Sequence, residues 1–342
     1  MKIVGISMIR NDADIVEPFV RHALRVLNHL FVVVHCPQDG TGEILSALHA
    51  EGLPMTLVFD GEPAFLQGER MTWLAREAFA AFGPDYVFPL DADEFIIPGE
   101  RAAIEAALAP LPEDAVAARI RLRTFVMTSD DPAHEPNPLR RIRFRPRNEP
   151  KVGKIVLARG FMADAALIID HGNHALLRIG GSARQLPLPF VPQLALAHYP
   201  VRSAAQLMNK TIIGYLAHLA AGRPGVEEQR LATHWRRCYE DMIVHGATRD
   251  MTELELAAWF HGRQDTLVHA DELVSDPTPA PDPLCYADLA RNDPYASLAR
   301  FTEALIRSRP GRLEGIRFDH GHDETATDIL PHKAGTNGRQ RA

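Results

Sequence analysis

The chain has 342 residues, of which 46% are hydrophobic and 24% charged, enough to bury a sizeable core in one large domain with an appended part. A formal charge of −7 argues against the basic face that a nucleic-acid binder carries. Cys36, Cys238 and Cys285 are odd in number and far apart, which disfavours a disulfide frame or a zinc site and points to reduced thiols in the cytoplasm.

KIVGISMI (2–9) reads as a buried strand, too short in its apolar run for a signal peptide's core. Val16, Phe19, Val20, Ala23, Leu24 and Leu27 then follow helical spacing, with Pro18 in the first turn where proline is tolerated. HLFVVVH (29–35) is a β-branched run covered on both faces. The loop CPQDGTG leads to a short helix capped by Asp39 or Thr41. PMTLVFD (54–60) is a third strand, Glu69–Phe82 a helix and DYVFPL (85–90) a fourth strand. Such alternation predicts a mainly parallel α/β sheet, with ligands outside the carboxyl ends of its strands. Residues 115–127, 139–147, 153–160 and 194–200 look like further strands. The chain from Ser203 to about Ile306 reads as helices interrupted by a Pro-rich linker at 275–284, and the last thirty or so residues are polar and poorly periodic. No run reaches 18 apolar residues, so no transmembrane helix is expected.

Asp-Ala-Asp occurs twice. Asp12 and Asp14 begin a helix, where carboxylates cap free N–H groups and suit the helix dipole. Asp91 and Asp93 instead end a buried strand and precede a third acid, Glu94. Carboxylates so placed are costly to desolvate unless a cation pairs them. Residues i and i+2 of an extended segment point to one side, so Asp91 and Asp93 are expected to face one divalent ion together with its phosphates or ribose. Hard oxygen ligands suit Mg2+ or Mn2+.

The first hundred residues resemble family 2-type glycosyltransferases with the GT-A fold. VGISMIRNDADIVEPFVRHAL resembles their opening strand, turn and helix, VVVHCPQDGTGEIL the second strand with its D-G-T turn, and GPDYVFPLDADEFIIP the strand carrying the D-x-D motif. Most similar is a bacterial family 2-like subset with LDADEF, a downstream GNH and an H-[YF]-P-x-R-S motif. Here those read His171-Gly172-Asn173-His174 and His198-Tyr199-Pro200-Val201-Arg202-Ser203, and the match covers roughly residues 1–215. By this resemblance Arg10, Asn11 and Asp12 border the nucleotide base, Asp91 contacts the ribose or a metal-bound water, and Asp93 ligates the metal on the diphosphate. His198 is implied as a third metal or diphosphate contact. One departure stands out: Val34 and His35 replace the usual acidic pair before the second turn, so an Asp contact to the base is missing.

Several cations and histidines complete the candidate set. Ser203 to Gln206 forms a capping box that puts Arg202 and the first helical amides where phosphate binds, with Lys210 two turns on. Glu94, His171 and His174 are candidates for the base toward an acceptor hydroxyl; the H-x-x-H spacing is not that of a zinc protease. Arg141, Arg143, Arg145 and Arg147 alternate along a predicted strand, a cationic face extended by Lys151 and Lys154 that suits either a protected edge or an anionic acceptor. Trp235, Tyr239, Trp259 and Phe260 read as core or as a cover over the acceptor side.

The expected architecture is an α/β, Rossmann-like GT-A sheet with a helical C-terminal part. It divides into a nucleotide-sugar half (1–115), an acceptor half (116–215), a helical part (216–310) and a polar tail (311–342). The expected activity is metal-dependent transfer of a hexose from a nucleotide diphosphate, first of all a UDP-sugar, to a hydroxyl of a glycan or lipid-linked acceptor, with inversion implied by the resemblance. The chain is expected in the cytoplasm, with at most peripheral membrane association. The alternative is a non-catalytic nucleotide- or glycan-binding protein on the same scaffold. A nucleotidyltransferase would want a Gly-rich basic loop after the first strand, and MIRNDAD contains no glycine.

Overall fold

The computed structural model describes residues 1–132, 134–148, 152–180, 182–222, 233–261, 272–280, 284–290 and 292–308. The alternation read from the sequence is present: β1 (Ile3–Ile9), α1 (Val16–Val26), β2 (His29–His35), α2 (Thr41–Ala50), β3 (Met55–Asp60), α3 (Gln67–Phe82) and β4 (Tyr86–Leu90). β3, β2, β1 and β4 pair in parallel in that order. Successive side chains of β1 enter opposite layers. Ile3 and Ile9 share a core with Phe19 and Val20 of α1, whereas Val4, Ile6 and Met8 pack with Met71, Leu74 and Ala75 of α3. With both faces covered, β1, β2 and β4 have no polar face to show, hence their largely apolar runs. At the start of α2, Asp39 rather than Thr41 supplies the carboxylate, accepting from Thr41 N at 2.9 Å.

The chain continues through β5 (Glu94–Ile97), α4 (Arg101–Leu108), β6 (Ala117–Thr124), α5 (Pro138–Arg141), β7 (Phe144–Pro146), β8 (Gly153–Ala158), β9 (Leu167–Ile169), β10 (Leu176–Arg178), β11 (Arg184–Gln185) and β12 (Phe190–His198). Eight strands form one sheet in the order β3-β2-β1-β4-β8-β6-β12-β5. All but β8 and β5 run the same way, which is the mainly parallel α/β arrangement expected. On a flat sheet β5 would stand four strand spacings, about 19 Å, from β4. Only Asp91, Ala92 and Asp93 join the two, a reach of at most about 14 Å. The sheet therefore curls, and the acidic turn sits at the mouth of the curl.

The C-terminal part is helical, with α6 (Ala204–Ala220), α7 (Thr233–Tyr239) running into a π-helical turn at Glu240–Val244, α8 (Glu253–Phe260), then β13 (Leu273–Ser275) and α9 (Pro294–Arg307). No helix of the described residues is long and apolar enough to cross a membrane. One of the expected strands is absent. Residues 139–147 are not a single strand but the short helix α5 followed by β7, because Asn137 caps Leu139 N at 3.1 Å and Pro138 starts a helical turn. The four arginines there do not share a strand face: Arg141 donates to Arg202 O at 2.6 Å, and Arg145 pairs with Asp276 at 2.6 Å. Lys151 and the tail 311–342 lie outside the described residues.

Candidate active site at the acidic turn

The carboxyl ends of β1, β4, β6 and β12, the start of β8, and helices α6 to α8 enclose a cleft of about 690 Å³. Asp91 and Asp93 both line it but turn to different partners. Glu94 N donates to Asp91 O at 3.0 Å, so the triplet is a tight turn rather than the extended segment expected. Asp91 Oδ1 accepts from Gln67 Nε2 (2.9 Å) and Asn173 Nδ2 (3.1 Å), and Oδ2 from Lys154 Nζ (2.7 Å). Both oxygens are thus engaged within the chain. Asp93 Oδ2 accepts from Lys210 Nζ at 2.5 Å, with His198 Nε2 and Arg202 NH1 each 3.7 Å away. Burial alone would raise the Asp93 pKa, but Lys210, His198 and Arg202 hold it well below the usual carboxylate range.

Strand register brings the donors together. β12 and β5 pair antiparallel with His198 opposite Glu94, and Tyr199 N donates to Asp93 O at 2.9 Å. Donor atoms of Asp93, Glu94 and His198 fall within 4.8 Å of one another. His198 Nδ1 is buried without a hydrogen-bond partner among the described residues. The Asp93 carboxylate with His198 Nε2 3.7 Å from it fits a small divalent cation of the Mn2+ or Mg2+ kind. Glu94 is less available: its side chain is fully buried and Lys154 Nζ lies 2.6 Å from Oε1. Burial pushes Glu94 up to about 8 despite that lysine. As a base toward an acceptor it is out of reach, which removes one of the three candidates.

The His171-Gly172-Asn173-His174 segment explains its own composition. Gly172 (φ +71°) and Asn173 (φ +57°) are left-handed, a conformation that glycine and asparagine tolerate best. A Cβ on Gly172 would stand 2.7 Å from His174 Cδ2, so only glycine leaves room for that ring. Gly172 O accepts from Lys154 at 2.6 Å and Gly172 N donates to Gln67 Oε1 at 2.8 Å. His174 Nδ1 lies 2.9 Å from Gly153 O. A carbonyl only accepts, so Nδ1 carries the proton and Nε2 keeps its lone pair. Burial, and then Lys154, lower the His174 pKa and keep the ring neutral at neutral pH. His171 also lines the cleft, its ring stacked near Phe65 at 6.2 Å.

The turn after β1 places Arg10, Asn11 and Asp12 on the cleft wall. Asn11 is left-handed (φ +56°) and exchanges hydrogen bonds with Gln38 at 2.8 and 2.7 Å. Arg10 donates to His35 O (3.1 Å) and Pro63 O (2.9 Å), and its guanidinium lies 5.5 Å from the Phe301 ring. His35, where an acid was missing, is fully buried, with Nε2 3.1 Å from Ala64 O. Burial, then Arg10, push it down to about 3.

Arg202 is a correction. Its side chain has 0% exposure and does not line the cleft; it binds Asp14 through two bonds of 2.8 Å and Asp12 at 2.9 Å. Ser203 caps Gln206 N at 3.1 Å, but Gln206 Oε1 turns to Arg202 N at 3.0 Å, so that amide is not open to phosphate. Asp12 and Asp14 serve this buried guanidinium rather than a helix end. The sequence reading passed over Gln67, Phe65 and His218, whose isolated positions carry no local signal. Trp235 and Phe260 line the cleft from α7 and α8, as a cover would.

No protein-family model matches the chain, and no curated protein matches it in sequence. Among solved structures, TarS of S. aureus (residues 1–349, in complex with UDP) is 11% identical, with 76% of this chain and 78% of that chain covered at a TM-score of 0.38. The mannosyltransferase PcManGT of Pyrobaculum calidifontis, in complex with GDP-Man and Mn2+, is 12% identical, with 90% and 88% covered at 0.37. A CMP:2-keto-3-deoxy-manno-octonic acid synthetase complexed with CTP is 14% identical, with 48% and 76% covered at 0.26. Likenesses this distant are of general outline, and what this chain binds has to be read from its own residues.

Proposed function

We propose that the chain transfers a sugar from a nucleotide diphosphate donor, a UDP-sugar being the first choice, to a hydroxyl of a glycan or lipid-linked acceptor in the cytoplasm, with inversion at the anomeric carbon. The observation that supports this most is the coupling, in one cleft, of each carboxylate of the acidic turn to a lysine: Asp91 to Lys154 and Asp93 to Lys210. Asp93 and His198 would hold a divalent Mn2+ or Mg2+, which when bound neutralises charge developing on the leaving diphosphate. Lys210, partly exposed on the cleft wall, would reach the same phosphates. Asp91, oriented by Gln67, Asn173 and Lys154, would take the ribose hydroxyls. Arg10, Asn11 and Asp12 would border the base. His174 would take the acceptor proton on Nε2, its Nδ1–H fixed on Gly153 O.

Calorimetry with UDP, GDP and dTDP, each with Mn2+ and with EDTA, tests the donor half. One nucleotide is expected to bind with Mn2+ and to lose affinity in EDTA; no binding by any of them overturns the reading. His174→Gln tests the base: donor affinity should stay close to wild type while transfer falls by a factor of about 10²–10⁴. Turnover at the wild-type rate in that variant would move the base elsewhere. The neutral, buried His35 in place of an acid favours a second reading, a binding protein without catalysis, and donor hydrolysis above background separates the two.

A further inference from the structure

The Asp93 carboxylate already carries a cation supplied by the chain. Arg202 is fixed elsewhere, fully buried and bound to Asp12 and Asp14, and stands 3.7 Å from Asp93. Lys210 differs from it in two ways. Its ammonium is 2.5 Å from Asp93 Oδ2, and its side chain keeps 26% of its surface exposed on the cleft wall. Four rotatable bonds let that ammonium move while its backbone stays in α6. A divalent ion bound to the same oxygen would sit within a few ångströms of the ammonium, two like charges at a distance where repulsion outweighs ordinary binding increments. His198 Nε2, 3.7 Å from the same Asp93 oxygen, is the second donor that such an ion would share once Lys210 had left.

We propose that Lys210 is a tethered counter-ion: it holds the divalent-cation position at Asp93 while the cleft has no donor, and moves to the diphosphate when metal and nucleotide arrive together. This rests on the glycosyltransferase reading of the same cleft. It makes metal and donor loading interdependent, because metal alone must displace Lys210 from Asp93 before a diphosphate is there to pair with its ammonium. Lys210 then acts as a positioning residue, setting the order of assembly rather than the chemistry.

Mn2+ binding, read by the electron-spin signal of free Mn2+, tests this on the wild-type chain, Lys210→Met and Lys210→Arg, with and without UDP or GDP. Mn2+ alone should bind Lys210→Met about tenfold or more tighter than wild type, since a unit like charge has been removed from its side. Lys210→Arg, which restores the charge, should return to the wild-type value, a rescue that a merely structural role would not give. Nucleotide should tighten Mn2+ binding in wild type and do so much less in Lys210→Met. Equal Mn2+ affinity in wild type and Lys210→Met overturns the proposal, as does Mn2+ that binds none of the three proteins. Nucleotide that binds none of them overturns the glycosyltransferase reading and the second half of the proposal, while the Mn2+ comparison still decides the first half.

Discussion

A guanidinium without exposed surface has to be matched inside the fold, and Arg202 is matched by Asp12, Asp14 and, more distantly, Asp93. Removing one member of such a set leaves charges buried without their partner. Arg202→Met is expected to cost about 3–5 kcal/mol, measured by urea unfolding; a loss below about 1 kcal/mol would mean that the two acids find other partners. His35 gives a pH dependence. Its folded pKa, about 3, lies below the ordinary 6.5, so the unfolded chain binds the extra proton between those values. The contribution is fully present above pH 6.5 and is lost as pH falls toward 3, at up to about 1.4 kcal/mol per pH unit. His35→Gln should flatten that acid limb in a pH series of thermal unfolding. At this scale the sequence was legible where a residue breaks a pattern, as Asp91 and Asp93 do after an apolar run. It was illegible where a role depends on a distant partner: Lys154 reads as part of a basic stretch until β8 sets it against Asp91 and Glu94.

Among the elements, α9 shows how a helix far along the chain serves the first loop. Phe301 is fully buried, sharing a small core with Ile213 and Ala217 of α6, and its ring lies below the Arg10 guanidinium. Arg300 NH1 donates to Gln38 O at 2.8 Å, and Asn209 Nδ2 donates to Ser297 Oγ at 3.2 Å. Phe301→Ala is expected to destabilise by about 3–5 kcal/mol and to expose the amides around Gln38 to faster hydrogen exchange. Unchanged exchange there would mean that the loop holds itself. Helices of this kind could be found from their spacing, since an amphipathic face is a local property. β5 could not: four residues, FII after Glu94, give no period, and their partner β12 lies about a hundred residues on. The arginine-rich stretch misled for the reverse reason. Its alternation is strand-like, but Asn137 and Pro138 impose a helical turn on its first half.

For the whole molecule, the curl of the sheet makes the site a long-range product. Asp14, Asp93, Lys154, Arg202 and Lys210 come from widely separated parts of the chain and meet only when β8 and β12 have inserted between β4 and β5. Residues 1–115 alone would leave β4 and β5 without those neighbours. Such a fragment is expected to lack a cooperative thermal transition by circular dichroism, and a sharp two-state melt would show that the first half folds alone. The same curl ties Asp93 into the backbone ladder, through Tyr199 N on Asp93 O and His198 opposite Glu94. Its carbonyl is thus a strut as well as part of the acidic turn. One amide can therefore act as a clock for the whole assembly: the Tyr199 N–H should exchange with deuterium only when sheet, turn and cleft come apart together. A slow rate there, faster in any variant that loosens the curl, would report the integrity of the site without a substrate having been identified.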